Sequence, residues 1–362
     1  MKNLFVASTR HNEGKTLVTL GLAAGLGKKV KSFGFFKPVG RASVEFAGDR
    51  IDHDVALLKE ACKIPAFVKD MGPVVFDGFP QAWTTTKGRD EAVDRIKSAY
   101  ERVSANKGLM IIEGSGNAAM GAAFGLSNAF LAKTLEAKVV LVATGGVGQP
   151  TDEIILNRSY FERTGVEVLG VIVNKAYPEE LERIDAWMKR VVEMMGVKLL
   201  GVIPYDHDLA RGSLLNLQER LKGRVVNNPS AFGQPLGRIA VGAMSAARAL
   251  EDLTGYVTLV VPPDREDLLV AALSAMFISG RKDFTLSSIV VCGKGEISET
   301  MTKMLKRTTI PVLQVDQDVY TVVSEFNASN FKILPSDQDR IARAIDVVSS
   351  NVDLDAIMAG LQ

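Results

Sequence analysis

Gly14-Lys15-Thr16 stands at the junction of a polar loop and an apolar helical run. Residues 4–7 are apolar and short enough for a buried strand, and residues 17–26 continue as an apolar helix. Strand, loop, Gly-Lys-Thr and helix, in that order, make a phosphate-binding loop. Backbone N–H groups of such a loop point at an anion, and the helix dipole favours negative charge at the same place. Lys15 would then neutralise the β and γ phosphates of a nucleotide, and the Thr16 hydroxyl would sit on Mg²⁺. Asn12, Glu13, Gly14, Lys15, Thr16 and Leu17 are accordingly the candidate cofactor-binding residues of the loop. Thr9 occupies the place of the usual opening glycine. The alternative is an ordinary strand-to-helix turn that carries the three residues by chance.

Five further positions have the chemistry to serve such a loop. Pro38 fixes its own φ and pushes Lys37 toward an extended conformation. That holds the ammonium at the end of the short strand 32–36, and parallel sheets bind ligands at strand C-terminal ends. Asp52 and Asp54 lie where a polar loop enters a helix (residues 50–60), and each is either a site carboxylate or a capping or solvated one. Glu113 directly follows the apolar strand 109–112 and precedes Gly114-Ser115-Gly116-Asn117. An acid after a buried strand is where a nucleotide fold keeps a Mg²⁺-related carboxylate; a solvated turn is the other reading. Asn174 ends the strand 166–173, and its amide reads a base edge or sits in a turn. No acid follows Asn174-Lys175 as a guanine reader requires, which favours adenine. His11, His53 and His207 are scattered and make no metal set, and no Ser/His/Asp or Cys/His set is visible.

The elements that must position these residues alternate. Short apolar strands at 4–7, 32–36, 109–112, 137–143, 166–173 and 199–203 are separated by helical stretches, which predicts a mainly parallel sheet covered on both faces. Helix 89–104 places Ala92, Ile96, Ala99, Tyr100 and Val103 on one face, and helix 179–195 does so with Leu181, Ile184, Trp187, Met188 and Val191. Thr151 is expected to cap a helix that starts near Asp152. The connection 65–86 has no period, and its Phe76, Phe79 and Trp83 either pack beneath it or line a pocket. Residues 206–224 are polar and helical, 227–237 are rich in Asn, Pro and Gly, and a second, smaller α/β alternation follows. The expected organisation is a nucleotide-binding domain over 1–211, a helix and linker over 212–237 and a second domain over 238–362.

The 362 residues suit two domains, and 47% hydrophobic content supplies both cores. A net charge of +1 gives no reason to expect a nucleic-acid or membrane partner. Cys62 and Cys292 lie far apart and read as free thiols of a reducing compartment. With no secretory leader and no unbroken apolar run of about 18 residues, the expected location is the cytoplasm.

Taken together, residues 8–16, Lys37-Pro38-Val39, Asp54, Glu113-Gly114, Asn174 and Ile203-Pro204 resemble the dethiobiotin synthetase-like branch of the P-loop NTPases. That branch includes the cobyrinic acid amidating enzymes and the amino-terminal domain of some long phosphotransacetylases. The resemblance covers about residues 1–210 and implies an α/β P-loop fold that binds ATP and Mg²⁺. It implies phosphate contact by Lys15, metal coordination by Thr16, Asp54 and Glu113, a catalytic Lys37 facing the transferred phosphoryl group, and Asn174 near adenine. The loop departs from the family at Ser8-Thr9-Arg10-His11, where Arg10 replaces an Asp. Gly114-Ser115-Gly116-Asn117 likewise replaces Gly-Ala-Gly-Gly, and both changes point away from diaminopelargonic acid as substrate. Residues 238–350 resemble the DRTGG domain through Val241-Gly242-Ala243-Met244-Ser245, Pro263-Asp264-Arg265 and Asp318-Val319-Tyr320-Thr321. The resemblance implies either an ATP-dependent enzyme that activates a carboxylate or carbamate of a small acid or amine, or a nucleotide-responsive regulatory protein. A homodimer formed through the second domain is expected in both cases.

Overall fold

The computed structural model describes residues 1–41, 43–46, 48–76, 85–146, 148–276, 284–328 and 331–362. Phe79 and Trp83 lie outside the described residues. The chain forms two compact units, residues 1–206 with 337–362 (unit 1) and residues 207–336 (unit 2).

Unit 1 opens with β1 (Lys2–Ser8), α1 (Lys15–Gly27) and β2 (Phe33–Phe36), followed by the hairpin β3 (Ser43–Phe46) and β4 (Asp49–Asp52). It continues through α2 (His53–Ala61), α3 (Val68–Met71), α4 (Thr86–Ser104), β5 (Leu109–Glu113), α5 (Asn128–Thr134) and β6 (Lys138–Thr144). Next come α6 (Gln149–Arg163), β7 (Val168–Ala176), α7 (Leu181–Met194) and β8 (Lys198–Pro204). Six strands pair in the order β2-β5-β1-β6-β7-β8, all parallel. Strands covered on both faces must be apolar throughout, and Leu4 to Ala7 and Leu109 to Ile112 are fully buried. The chain builds β2 and β5 on one side of β1 and then crosses to β6 on the other. The loop after β1 therefore emerges where the strand order reverses, the place where open α/β sheets bind ligands.

Helix α4 buries the five residues its spacing predicts and is capped by Thr85, which accepts from the Gly88 N–H at 3.1 Å. Two local expectations fail. Trp187 of α7 is 40% exposed, because Ile184, Met188 and Val192 form the buried face and Trp187 lies beside it. Thr151 is not a cap: α6 begins at Gln149 on Gly148, and the Thr151 hydroxyl donates back to the Gly148 carbonyl at 2.5 Å. Phe76 packs on Phe124 with ring centroids 5.6 Å apart.

Unit 2 holds α8 (His207–Ala210), α9 (Leu214–Leu221), β9 (Arg224–Asn227), β10 (Arg238–Val241), α10 (Ala246–Asp252), β11 (Gly255–Val261) and α11 (Glu266–Met276). It is completed by β12 (Phe284–Cys292), α12 (Glu299–Leu305), β13 (Val312–Val315) and α13 (Val319–Ala328). Its sheet runs β10-β11-β12-β13-β9, with β9 alone antiparallel. Residues of α10, α11 and α12 share one core with the sheet, and residues of α9 and α13 share another. The expected linker 212–237 thus supplies a helix and an edge strand to this unit. Arg265 of the Pro263-Asp264-Arg265 turn donates to the carbonyls of Gly242 (2.9 Å) and Met244 (2.7 Å), tying β10 to β11.

The chain then returns to unit 1. Helices α14 (Gln338–Asn351) and α15 (Leu354–Gly360) lie against α1, with Val348 over Gly21 and Leu354 over Gly25. Val352 bridges Gly201 of β8, and Lys138 donates to the Gly360 carbonyl at 2.8 Å. A second domain running through residue 362 is therefore corrected. The apolar face of α14 is periodic, but periodicity names no partner, and its partner is the first helix of the chain. Among the described residues no helix is long and apolar enough to cross a membrane.

Candidate functional site

The C-terminal ends of β1, β2 and β5 bring Lys15, Thr16, Lys37, Asp52, Asp54 and Glu113 together. Glu113 is the hub. It is fully buried, and its Oε1 accepts from Lys15 Nζ (2.6 Å), Thr16 Oγ1 (3.0 Å) and Lys37 Nζ (3.0 Å). Its Oε2 is buried with no hydrogen-bond partner. Lys37 also donates to Asp54 Oδ2 and lies 3.4 Å from Asp52 Oδ1. Burial alone would push the Lys37 ammonium down, but Asp52, Asp54 and Glu113 outweigh it and hold the group well above the ordinary lysine value. Three carboxylates against two ammonium groups leave this buried set one negative charge in excess.

Asp52 resolves its double reading by doing two things. Its Oδ1 caps α2 by accepting from the Asp54 N–H at 2.9 Å, and its Oδ2 accepts from the Arg41 N–H at 2.8 Å. The cap fixes where Asp54 points, and the hairpin β3–β4 delivers both acids beneath Lys37. That hairpin escaped the sequence reading: Ser43-Val44-Glu45-Phe46 does alternate, but each strand is only four residues long, and Asp49-Arg50-Ile51-Asp52 carries a single apolar residue.

The phosphate loop is braced from three sides. Gly14 adopts φ +84°, and a Cβ there would lie 2.1 Å from Asn174 Nδ2. Asn174 donates to the Glu13 carbonyl at 2.8 Å, and Lys175 donates to the Asn12 carbonyl at 2.6 Å. Arg10 pairs with Glu153 of α6, and Asn157 of the same helix donates to the Thr9 carbonyl at 3.2 Å. Glu13 is buried, and burial pushes its carboxyl above the usual range despite a backbone hydrogen bond from Thr144 and the nearby Arg10. The 115–117 turn is held by Asn128, which accepts from Ser115 N–H (3.1 Å) and donates to the Gly116 (3.1 Å) and Asn117 (2.7 Å) carbonyls. Asn128 and Asn157 were missed from sequence, and their only signal is an amide on the buried face of a helix.

Among the described residues no group of three or more His, Cys, Asp or Glu is placed to hold a metal. His53 flanks Asp54, Nδ1 to Oδ1 3.4 Å. His11 lies on the loop with Nε2 2.9 Å from Arg41 Nη1. A guanidinium only donates, so Nε2 is the acceptor in this contact; burial, then Arg41 and Lys15, lower the pKa of the ring, which favours that form.

With this geometry in hand, the chain can be set beside known proteins. A family model described as an AAA domain (AAA_26) matches residues 2–213, more than half of the chain. The chain belongs to this AAA domain family. A DRTGG domain follows over residues 216–329. Among curated proteins, phosphate acetyltransferase of Pseudomonas aeruginosa is 24% identical over 98% of this chain and 51% of its own length. Phosphate acetyltransferase of Deinococcus radiodurans is 25% identical over 98% of this chain and 50% of its own. The chain thus spans about half the length of the curated relatives it matches. Among solved structures, the MinD cell division protein of Aquifex aeolicus is 16% identical, covers 58% of this chain and 84% of its own, and has a TM-score of 0.36. An AAA_26 P-loop domain joined to a DRTGG domain is the arrangement that the resemblance implies.

Proposed function

We propose that unit 1 binds ATP with Mg²⁺ and uses it to activate a carboxylate or carbamate of a small molecule. The observation that carries this is the Glu113 hub, where one buried carboxylate gathers the loop lysine, the loop threonine and Lys37 while keeping an oxygen without a partner. Mg²⁺ prefers oxygen ligands, and the Thr16 hydroxyl, Asp54 and the orphan Glu113 Oε2 fit it, with the excess negative charge of the set in support. Bound there, the metal would supply Lewis-acid stabilisation to the phosphates.

The residues of the chain divide the remaining work. Lys15 leaves Glu113 for the β and γ phosphates, and the N–H groups of residues 12–17 cradle them. Lys37, kept protonated by its carboxylates, faces the phosphoryl group in transfer, so catalysis is positioning plus charge stabilisation. Asn174 favours adenine through the amide hydrogen and oxygen that its bond to Glu13 leaves over.

Calorimetry with ATP and Mg²⁺ tests the common core. Heat is expected with the wild type and none with Lys15→Ala, and a silent wild type sinks the proposal. ADP release that depends on one acid from a panel of small amino and carboxylic acids would identify turnover, and Lys37→Ala should abolish it. A second reading is favoured by the DRTGG match. In it, ATP occupancy regulates through unit 2 and a homodimer, and tight binding without acid-dependent turnover would select it. Light scattering at micromolar concentration checks the dimer, and a monomeric mass refutes it.

A further inference from the structure

Arg41 stands beside the charged core without being consumed by it. Asp52 Oδ2 fixes its backbone N–H at 2.8 Å, and the other oxygen of the same carboxylate lies 3.4 Å from Lys37 Nζ. The side chain is exposed and reaches across to the phosphate loop, with Nη1 2.9 Å from His11 Nε2 and 3.6 Å from Met120 Sδ. Both partners are uncharged. Among the described residues no carboxylate pairs with this guanidinium, whereas the neighbouring Arg10 is paired with Glu153.

An exposed arginine is often only solvated, but three features set this one apart. Its backbone is anchored to the acid that also faces Lys37. A ring nitrogen of the phosphate loop orients its side chain. Its planar fork presents five N–H donors, and the His11 contact engages only one of them. A guanidinium held in this way is matched to a carboxylate or phosphate taken through two parallel hydrogen bonds.

We infer that Arg41, oriented by His11, binds an anionic group of the acceptor, a carboxylate or phosphate other than the group that is activated at Lys37. This rests on the reaction proposed above and narrows its substrate class. The acceptor is a small molecule with two anionic ends, one directed to Lys37 and the other to Arg41, and Asp52 sets the spacing between the two cations. A His11 ring that accepts from Arg41 suits the role, since it orients the guanidinium without neutralising its charge and leaves the remaining N–H donors for the anion.

The test fills the nucleotide site first. The full chain is titrated with a non-hydrolysable ATP analogue and Mg²⁺, then, at constant ionic strength, with succinate and separately with inorganic phosphate. Wild type is expected to bind at least one of the two, which also distinguishes a carboxylate from a phosphate specificity. Arg41→Ala should weaken that anion about tenfold or more, in line with loss of a charge-assisted pair of hydrogen bonds. Arg41→Lys should recover part of the loss, because it restores the charge without the fork. The inference is overturned if neither anion binds the wild type, if Arg41→Ala binds it as well as wild type does, or if the variant weakens the analogue by the same factor. Failure of the analogue itself to bind shows in the first titration and removes instead the nucleotide reading underneath.

Discussion

At the scale of single residues, Lys37 and Glu113 stood out as charged residues at the ends of apolar strands, Gly14-Lys15-Thr16 as a loop entering an apolar helix, and Asp54 as an acid where a polar loop enters a helix. Their partners did not, since hydrogen-bond geometry leaves no mark in a sequence. Asp52 looked like a cap and is one, but the same carboxylate also faces Lys37. Glu113 yields a sharp prediction. In Glu113→Gln, two ammonium groups keep a neutral acceptor, and a buried NH₂ replaces Oε2. Losing the charge behind these hydrogen bonds should lower stability by about 2 kcal/mol or more. Urea unfolding followed by tryptophan fluorescence measures this, and the gain in ATP affinity on adding Mg²⁺ should vanish in the same variant. His11 gives a pH dependence of definite sign. Its folded pKa lies below the unfolded value of about 6.5, chiefly because of burial and then Arg41 and Lys15. Its contribution is therefore complete above about pH 6.5 and lost as pH falls through the lower folded value. Stability measured at pH 8 and pH 5.5 should drop less for His11→Gln than for wild type, and an equal drop would remove this role for the ring.

At the scale of elements, periodicity found the strands and most helices, because buried parallel strands are apolar runs and covered helices are striped. It failed where an element is short and polar, as in β3–β4, and where a helix must be told which neighbour to meet. Helix α1 illustrates the second failure. Glycine is poor in a helix interior, so Gly21→Ala should gain up to about 1 kcal/mol from propensity alone. In the fold, however, a Cβ at Gly21 would lie 2.2 Å from Val348 Cβ and 2.6 Å from its Cγ1. Overpacking of this kind costs about 1–3 kcal/mol, and both atoms lie close to a backbone that cannot swing away. Packing should therefore win, and Gly21→Ala should lower the melting temperature. The double variant Gly21→Ala/Val348→Ala should recover most of the loss. If the single variant is as stable as wild type, α14 does not press on α1 as described.

At the scale of the whole molecule, two α/β alternations correctly announced two units, but the second boundary misled because chain order was taken for spatial order. Unit 2 occupies residues 207–336, and the chain then re-enters unit 1, where Arg343 Nε donates to Asp206 Oδ2 at 2.6 Å near the point of departure. Helices α14 and α15 cover α1, the helix that begins with Lys15 and Thr16, through Val348 over Gly21 and Leu354 over Gly25. Truncation decides between this arrangement and a simple tandem. In a tandem, ending the chain at residue 336 would damage unit 2 and spare nucleotide binding. In the fold described here the same truncation strips apolar cover from α1 and should abolish both ATP binding and the cooperative unfolding of unit 1. The probe is already in place, because both tryptophans, Trp83 and Trp187, belong to the sequence of unit 1. Their fluorescence transition should be lost in the 1–336 chain while circular dichroism still records the unfolding of unit 2. Conversely, joining residue 206 to residue 337 through a short glycine-serine linker should leave the fluorescence transition and ATP binding in place. A 1–336 chain that binds ATP like the full protein would make the two C-terminal helices dispensable and restore the tandem view.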